Sequence, residues 1–389
     1  MLDSSAAIPD DRRPIDMAQW RRTRRVLVLQ GGGALGAYQA GVYEGLARRD
    51  LAPQWVAGIS IGAINAALIA GNPPERRVER LRQFWNEVSS LFAPLPAAPI
   101  DGLRTWINRS SAALVAAIGA PGFFHPHLVN PFLAPAGTAA AISVYDTAPL
   151  RASLERLVDF DRLNDGSTRL TVGAVNVLTG NSVAFDSTQR RIGPDHIMAS
   201  GALPPGFPPV VIDGDPYWDG GLVTNTPLQF VLDEQQREDL LVFQIDLFNA
   251  RGPVPRDLAD VEDRIKDIRY SSRTRLNTDM LKRIHDSKKA LRALIDRLPE
   301  NLADDPVVKP LRRLAQEYAT TVVQLIYRQK AWEGDAKDYE FSRLSMKDHW
   351  RSGYYDTRNT LAHKEWLEMK GTGGGIHTHD VHRAHELYG

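Results

Sequence analysis

The sequence predicts an α/β fold built on a mainly parallel sheet, and two consecutive strand–turn–helix units carry that prediction. The first unit is a short apolar strand at Arg25–Gln30, a glycine loop at Gly31–Gly33 and then a helical pattern. The second unit is the apolar strand Trp55–Ile59, a turn at Ser60 and the apolar helical run Ile61–Ala70. Because successive βα units place their strands side by side and parallel, we expect helices packed on a parallel sheet.

Further elements of this α/β region follow downstream. Two strand-like runs flank Leu178–Asn181, a turn-forming stretch, and therefore predict a hairpin. The predicted helices lie at Glu75–Ser90 and from Ala148 onward, and the predicted strands lie at Arg169–Val177, Ser182–Asp186, Val210–Ile212 and Leu240–Leu247.

Composition divides the chain into three regions. Residues 1–23 are polar and rich in charge, which predicts a disordered leader. Residues 24–250 form the predicted α/β domain. Residues 251–389 carry helical patterns with many charges, one over Asp260–Leu298 and another over Pro306–Trp332. We therefore expect a helical C-terminal region.

An insertion interrupts the α/β region at about residues 92–149, where proline and alanine are frequent. A helical pattern runs from Leu103 to Ile118, and an apolar patch follows at Gly122–Pro126. Long insertions in α/β cores often control substrate access, so one interpretation is a lid or a lipid-facing flap. The alternative is a helical subdomain that only packs on the core.

Composition also excludes several classes of protein. Lys plus Arg and Asp plus Glu both total 47, so no global basic field favours nucleic acid binding. Cysteine is absent, which excludes a disulfide framework and a thiolate nucleophile. The N-terminal residues have no apolar signal sequence, and no apolar run reaches the ~18 residues of a membrane span. We expect a cytoplasmic protein with peripheral membrane contact at most, and the sequence sets no oligomeric state.

The second βα unit contains the G-x-S-x-G motif Gly58-Ile59-Ser60-Ile61-Gly62. A serine that attacks a substrate must project from a sharp strand-to-helix turn, and glycines two residues before and after it allow that turn. Ser60 is therefore the candidate nucleophile, with Gly58 and Gly62 as supporting positions. The alternative is a serine in an ordinary βα turn.

The glycine loop Gly31–Gly33 suits an oxyanion hole. It leaves a strand and enters a helix N-terminus, so it presents backbone N–H groups with the positive end of the helix dipole behind them. Each such donor is typically worth about 2.7–4 kcal/mol. Gly31, Gly33 and Gly36 also fit the dinucleotide-binding fingerprint. That alternative needs an acidic residue at the end of the second strand, where this chain has Ser60.

The base that activates the serine is either a histidine or an aspartate. None of the 10 histidines has a sequence context that favours catalysis, and His196, for example, lies in a predicted helix. Asp219 follows a strand-like run, and Gly220 and Gly221 would let its carboxylate approach Ser60. An aspartate is a weak base unless burial raises its pKa. A turn-forming role for Asp219 and a conventional Ser-His-Asp esterase remain the alternatives.

Taken together, the motifs resemble those of the patatin-like phospholipase family. Three motifs, spread over about residues 24–248, occur in the family's order and with its spacing. They are Gly31-Gly32-Gly33-Ala34-Leu35-Gly36, then Gly58-Ile59-Ser60-Ile61-Gly62, and then Asp219-Gly220-Gly221 followed by Asn225 and Pro227. The resemblance implies a three-layer α/β/α fold and a Ser-Asp dyad without a catalytic histidine. It also implies Ser60 as nucleophile, Asp219 as general base and Gly31, Gly32 and Gly33 as oxyanion hole.

The implied activity is acyl transfer from a lipid or another acyl ester, and it requires no metal and no cofactor. Asp219 would take the Ser60 proton, an acyl-enzyme would form, and water would release the fatty acid. Two positions depart from the family pattern, which often has Asp before the glycines and Arg or Lys at the fifth loop position. This chain has Gln30 and Leu35 there. Residues 251–389 resemble an extension found in a bacterial subset of the family.

The C-terminal region holds two further patterns. Basic residues along the predicted helix Asp260–Leu298 either dock on anionic lipid or, as we expect, form a solvated face. The histidines of the tail that begins at Gly371 either bind a metal adventitiously or, as we expect, belong to a flexible end. A catalytically idle lipid-binding module is the remaining alternative to an enzyme.

Overall fold

A computed structural model describes residues 23–90, 101–234, 238–272, 274–299, 302, 305–315, 318–330, 332–363 and 375–380. The predicted leader lies almost entirely outside these residues, and so do the first residues of the insertion and most of the tail from Gly371. No helix in the ranges just given combines the length and apolarity required to cross a membrane.

A nine-stranded sheet organises the described chain. Its strands, with a separate hairpin of β3 and β4, are β1 (Arg24–Leu29), β2 (Trp55–Ile59), β3 (His125–Pro126), β4 (Tyr145–Asp146), β5 (Arg169–Asn176), β6 (Ser182–Asp186), β7 (Val210–Ile212), β8 (Asp215–Asp219), β9 (Leu240–Asp246), β10 (Ala319–Ile326) and β11 (Gly375–Asp380). The order is β11-β10-β9-β1-β2-β5-β8-β7, with β6 beside β5. The pairs from β11 to β5 are parallel, and β6, β7 and β8 are antiparallel to their neighbours.

Helices cover both faces of this sheet. They are α1 (Gly36–Ala47), α2 (Ile61–Ala70), α3 (Pro74–Val88), α4 (Asp101–Ile118), α5 (Ala139–Ile142), α6 (Ala148–Leu157), α7 (Phe160–Leu163), α8 (Pro194–Ser200), α9 (Leu228–Asp233), α10 (Leu258–Tyr270), α11 (Thr274–Ile295), α12 (Val308–Leu314) and α13 (Arg343–Ala362). In β1, Leu27 and Leu29 join the larger core with α1, α2, α3 and α13. Val26 and Val28 face a smaller core with α9, so the sheet lies between two helical layers.

The structure confirms both βα units predicted from the sequence. The strand β2 and the helix α2 have the predicted bounds, and β1 is shifted by one residue. In the parallel register of these strands, Leu29 pairs with Gly58. The glycine loop after β1 and the turn after β2 therefore lie at the same edge of the sheet.

The C-terminal region is mainly helical, but three of its predicted elements differ. The helix predicted over Asp260–Leu298 is divided into α10 and α11, because Ser271 has extended backbone (φ −62°, ψ 154°). The helix predicted over Pro306–Trp332 is wrong from residue 319, where the β-branched run of β10 pairs with β9. The prediction of a flexible tail is wrong for Gly375–Asp380, because this segment forms β11 and pairs with β10.

Strands from both predicted regions thus share one sheet. The division at residue 250 remains a sequence-based prediction, although β9 before it and β10 after it are parallel neighbours. The C-terminal region also covers α1, because α13 packs against this helix.

Candidate active site

Ser60 occupies the sharp turn between β2 and α2. Its backbone angles, φ 57° and ψ −126°, are rarely adopted by residues with a side chain. A Cβ on Gly58 would overlap the Gly62 carbonyl, and one on Gly62 would overlap the Leu29 carbonyl. Both glycines therefore permit the close approach that this turn requires.

A buried serine from α8 holds the turn in place. The Ser60 N–H donates to the Ser200 carbonyl (3.1 Å) and to its Oγ (3.0 Å). The Ser200 hydroxyl in turn donates to the carbonyl of Gly173 in β5 at 2.6 Å. No sequence motif marks Ser200, so its role is visible only in the structure.

Asp219 ends β8 at the level of the Ser60 turn. It pairs with Ala174 of β5, the strand next to β2. The Ser60 hydroxyl lies close enough to its carboxyl to favour the ionised form. The Gly221 N–H donates to its Oδ1 at 2.7 Å, within a short 3-10 turn that begins at Gly220. The structure therefore brings together the two side chains that the sequence motifs single out.

The environment of Asp219 changes its acidity. The residue is only 2% exposed, and burial raises the pKa of its carboxyl to about 7, although the Gly221 hydrogen bond and the nearby Ser60 hydroxyl act in the opposite direction. A carboxyl with a pKa near neutrality is a much better base than an exposed aspartate.

The three loop glycines differ in what their N–H groups do. The Gly31 N–H donates to the Asn225 carbonyl at 3.2 Å, and the Asn225 Nδ2 donates back to the Gly31 carbonyl at 3.1 Å. The N–H groups of Gly32 and Gly33 have no acceptor among the described residues. Gly33 has φ 53°, and the next N–H, that of Ala34, donates to the Asp338 carbonyl at 2.7 Å.

Gln30, one of the two departures from the family pattern, fixes the start of the loop. Its buried side chain donates from Nε2 to Thr226 Oγ1 (2.8 Å) and to the Tyr270 carbonyl (3.0 Å). Its Oε1 accepts from the N–H groups of Leu247 (2.6 Å) and Phe248 (3.0 Å). An aspartate could not donate the first two bonds. The other departure, Leu35, is fully buried in the larger core.

A cavity of about 500 Å³ connects Ser60, Asp219 and the glycine loop. Its wall is mostly apolar and comes from three parts of the chain. The aromatic contributors are Phe123, Phe124 and Tyr145 from the insertion, Phe207 from the loop between α8 and β7, and Phe248, Tyr270, Tyr339 and Phe341. The last three belong to the C-terminal region, so this region helps to build the cavity. No sequence motif in the C-terminal region indicates this role.

Histidine is absent from the described residues that line the cavity. His196 is engaged elsewhere, since its Nδ1 accepts from the Gly193 N–H at 3.0 Å and its ring packs on Phe185. His349 lies 2.6 Å from Glu333 in a buried ion pair.

The chain is similar to known lipid hydrolases. A family model described as patatin-like phospholipase matches residues 27–232, more than half of the chain, and a second, described as patatin phospholipase, matches residues 268–372. Triacylglycerol lipase ptl3 of Schizosaccharomyces pombe is 38% identical over 86 residues, which are 21% of this chain and 18% of that protein. The chain thus spans less than a fifth of this relative.

Among solved structures, VipD from Legionella pneumophila has a TM-score of 0.40 at 14% identity, covering 88% of this chain and 67% of that one. Human GIVD cytosolic phospholipase A2 has a TM-score of 0.33 at 14% identity, covering 57% of this chain and 43% of that one. The family assignment depends on the family models, which match most of the α/β region and much of the C-terminal region. The chain belongs to the patatin-like phospholipase family.

Proposed function

We propose that this protein is a lipid acyl hydrolase that cleaves carboxylic ester bonds through a Ser60–Asp219 dyad. The observation that carries the proposal is the buried Asp219 carboxyl beside the Ser60 hydroxyl, both at the wall of one mostly apolar cavity. Neither residue would be arranged this way by the needs of packing alone, because a buried carboxyl and a strained serine both cost stability.

In the first half of the reaction, the Asp219 carboxylate accepts the Ser60 proton as the hydroxyl oxygen attacks the ester carbonyl carbon. The tetrahedral intermediate collapses, the bond to the alcohol oxygen breaks, and the departing alkoxide takes the proton from Asp219. The products are a free alcohol and an acyl group esterified to Ser60.

In the second half, Asp219 accepts a proton from water as the water oxygen attacks the acyl carbonyl. The Ser60 oxygen leaves and regains its proton from Asp219. The fatty acid is released, and both side chains return to their starting protonation states.

We assign stabilisation of the oxyanion to the N–H groups of Gly32 and Gly33. These are the two loop donors without an acceptor among the described residues, and both glycines line the cavity. Gly31 belongs to the same loop, but its N–H already donates to Asn225. Its role in the proposal is to let the loop approach Ser60, since a Cβ on Gly31 would lie 3.0 Å from the Ser60 Cβ.

The cavity supports a substrate with a long apolar group. Its volume lies within the ~300–1,000 Å³ of typical ligand pockets, and its aromatic wall suits an acyl chain. The proposal therefore specifies a lipid or another acyl ester and leaves the alcohol portion open.

Two alternatives have less support. A Ser-His-Asp esterase needs a histidine beside the serine, and none is found among the described lining residues. A dinucleotide site that uses Gly31, Gly33 and Gly36 needs an acidic residue where β2 ends, and Ser60 occupies that position.

The test is hydrolysis of p-nitrophenyl esters by the wild type and by four variants. Ser60→Ala and Asp219→Asn should each lower kcat/KM by at least about 10³-fold, because each removes one member of the dyad. His196→Ala should retain activity. Asp215→Asn, the same change at the exposed end of the same strand, should also retain it. Near wild-type activity of Asp219→Asn, or a loss in His196→Ala equal to that in Ser60→Ala, would disprove the dyad.

A further inference from the structure

The insertion contains an exposed apolar segment, residues 128–133, which we call the apolar tip. Leu128 is fully exposed, and Phe132 and Leu133 are 96% and 81% exposed. Large apolar side chains this exposed and this close together are uncommon on soluble proteins and mark interaction surfaces.

The tip lies in a part of the chain without charge. From Ser110 to Tyr145 there is no Asp, Glu, Lys or Arg. Protein interfaces usually have a polar and charged rim, and binding to anionic lipid requires lysine or arginine. A surface that has no charged rim and no lysine or arginine is suited to an uncharged or zwitterionic partner.

The tip and the cavity wall belong to one hairpin. The strands β3 and β4 pair at its base, where Phe124 and Tyr145 line the cavity next to the dyad. The Tyr145 hydroxyl donates to the Ala116 carbonyl of α4 at 2.8 Å, and Val115 and Ala116 line the same cavity. The base of the hairpin and the end of α4 thus face the candidate site, and the segment that connects β3 to β4 exposes the apolar tip to solvent.

Hydrogen bonds and an ion pair hold the hairpin in this position. At the base of the tip, His127 Nε2 lies 3.0 Å from Ser143 Oγ, and the Asn130 side chain accepts from the Phe132 N–H at 3.0 Å. The helix α4 is anchored on the C-terminal region by Arg104, which lies 2.6 Å from Asp348. The apolar side chains are therefore displayed on a supported loop.

We infer that the apolar tip inserts into the surface of an uncharged or zwitterionic lipid aggregate and places the adjoining cavity at that surface. This inference rests on the proposed function, because the lipid surface is also the source of the ester. Binding of this kind depends on apolar burial and not on charge, so it is insensitive to salt.

The test is flotation of the full-length chain with dioleoylphosphatidylcholine vesicles, compared with the double variant Leu128→Asp, Phe132→Asp. The wild type should float equally at about 0.1 M and 0.5 M NaCl. The double variant should partition at least about tenfold less, because two charges would enter the interface in place of two apolar groups. Leu178→Asp, a change at an exposed leucine in the β5–β6 turn, should float like the wild type.

Activity measurements separate this inference from the proposed function. The double variant should keep its kcat/KM on a short, water-soluble ester within about twofold, and its thermal unfolding should match the wild type, because both side chains are exposed. Ser60→Ala should float like the wild type, since flotation needs no chemistry. Tip-dependent flotation of a protein without any esterase activity would support the lipid surface and contradict the proposed function.

Three results would overturn the inference. One is unchanged flotation of the double variant. Another is wild-type flotation that requires dioleoylphosphatidylglycerol and is lost in salt, which would assign binding to a basic face. The third is a dimer in gel filtration that the double variant converts to a monomer, which would make the tip a contact between protein copies.

Discussion

At the scale of single residues, Asp219 combines a buried position with a hydrogen bond from the Gly221 N–H and a polar neighbour, the Ser60 hydroxyl. Burial disfavours the ionised carboxylate more than these two groups favour it, which is why the pKa rises to about 7. In the unfolded chain the carboxyl has an ordinary pKa of ~3.9. The same environment would suit Asp219 to the proposed role of base, and it lowers the stability of the fold at high pH.

The first prediction concerns the pH dependence of hydrolysis. Because Asp219 must be ionised to accept the Ser60 proton, kcat/KM should fall about tenfold per pH unit below pH ~7 and reach a plateau above it. Initial rates on a soluble ester between about pH 5 and pH 9 test this. A flat profile through pH 7 would exclude Asp219 as the base with this pKa.

The second prediction concerns stability. The folded pKa of Asp219 is raised above its unfolded value, so the wild type loses about 1.4 kcal/mol per pH unit as the pH rises from ~4 to ~7. Asp219→Asn avoids this loss, and its amide can still accept from Gly221 and donate to Ser60. The inactive variant should melt at a higher temperature than the wild type.

Calorimetry at pH 5 and at pH 8 measures this difference. The gap in melting temperature between Asp219→Asn and the wild type should be wider at pH 8. Asp215→Asn, at an exposed position of the same strand, should show no such widening. A gap that is the same at both pH values, or that narrows at pH 8, would contradict the raised pKa.

Some residues of the candidate site can be predicted from the sequence, and others cannot. Local motifs single out Ser60 and Asp219, because turns and strand ends have short-range signatures. Ser200 acts through a hydrogen bond to Ser60, which is 140 positions away in the sequence. Such contacts depend on the tertiary fold, so no local pattern predicts them.

At the scale of elements, the helices α1 and α13 pack with their backbones in contact. A Cβ on Gly41 would overlap the Trp350 carbonyl, and one on Gly353 would overlap the Tyr38 carbonyl. A Cβ on Gly45 would lie 2.8 Å from the Thr357 Cβ. Because α1 follows the glycine loop, the position of α13 is tied to the position of that loop.

The third prediction tests this contact. Gly41→Ala should lower the free energy of unfolding by about 2–3 kcal/mol, since the new methyl group forces the two helices apart. The matched control is Gly102→Ala in α4, where no described atom outside the local helix backbone lies within 4 Å of the added Cβ. The control should be neutral or stabilising by about 0.5–1 kcal/mol. Equal effects of the two variants in urea unfolding would show that the close packing is not real.

The element that the sequence misassigned has a clear physical cause. Six consecutive residues of β10, Thr320 to Leu325, are buried, because the strand lies inside the sheet with both faces covered. Such a strand lacks the alternation of apolar and polar residues that distinguishes strand from helix. It also follows α12, whose helical pattern continues into it.

At the scale of the whole molecule, the C-terminal region completes both the sheet and the candidate site. Its strand β10 covers the edge of β9. The Tyr270 carbonyl accepts from Gln30 and Asn225, and the Asp338 carbonyl accepts from Ala34. The sequence predicted the fold class correctly from its two βα units, but not this role, because each contact joins segments that are distant in the chain.

The fourth prediction follows from these contacts. A chain that ends at residue 250 should lack a cooperative unfolding transition and esterase activity, because β9 becomes an exposed edge and buried donors of the glycine loop lose their acceptors. A chain that ends after Asp380 keeps every described residue and should match the full-length protein. Thermal unfolding and ester hydrolysis compare the two. A folded, active 1–250 chain would show that the C-terminal region is dispensable.

The most direct test of the Ser60–Asp219 dyad is labelling with a fluorophosphonate, followed by peptide mass mapping. We expect a single adduct on the peptide that contains Ser60, formed as the serine oxygen displaces fluoride. Labelling should be absent in Ser60→Ala and strongly slowed in Asp219→Asn. An adduct on another residue, or labelling that persists in Ser60→Ala, would contradict the account.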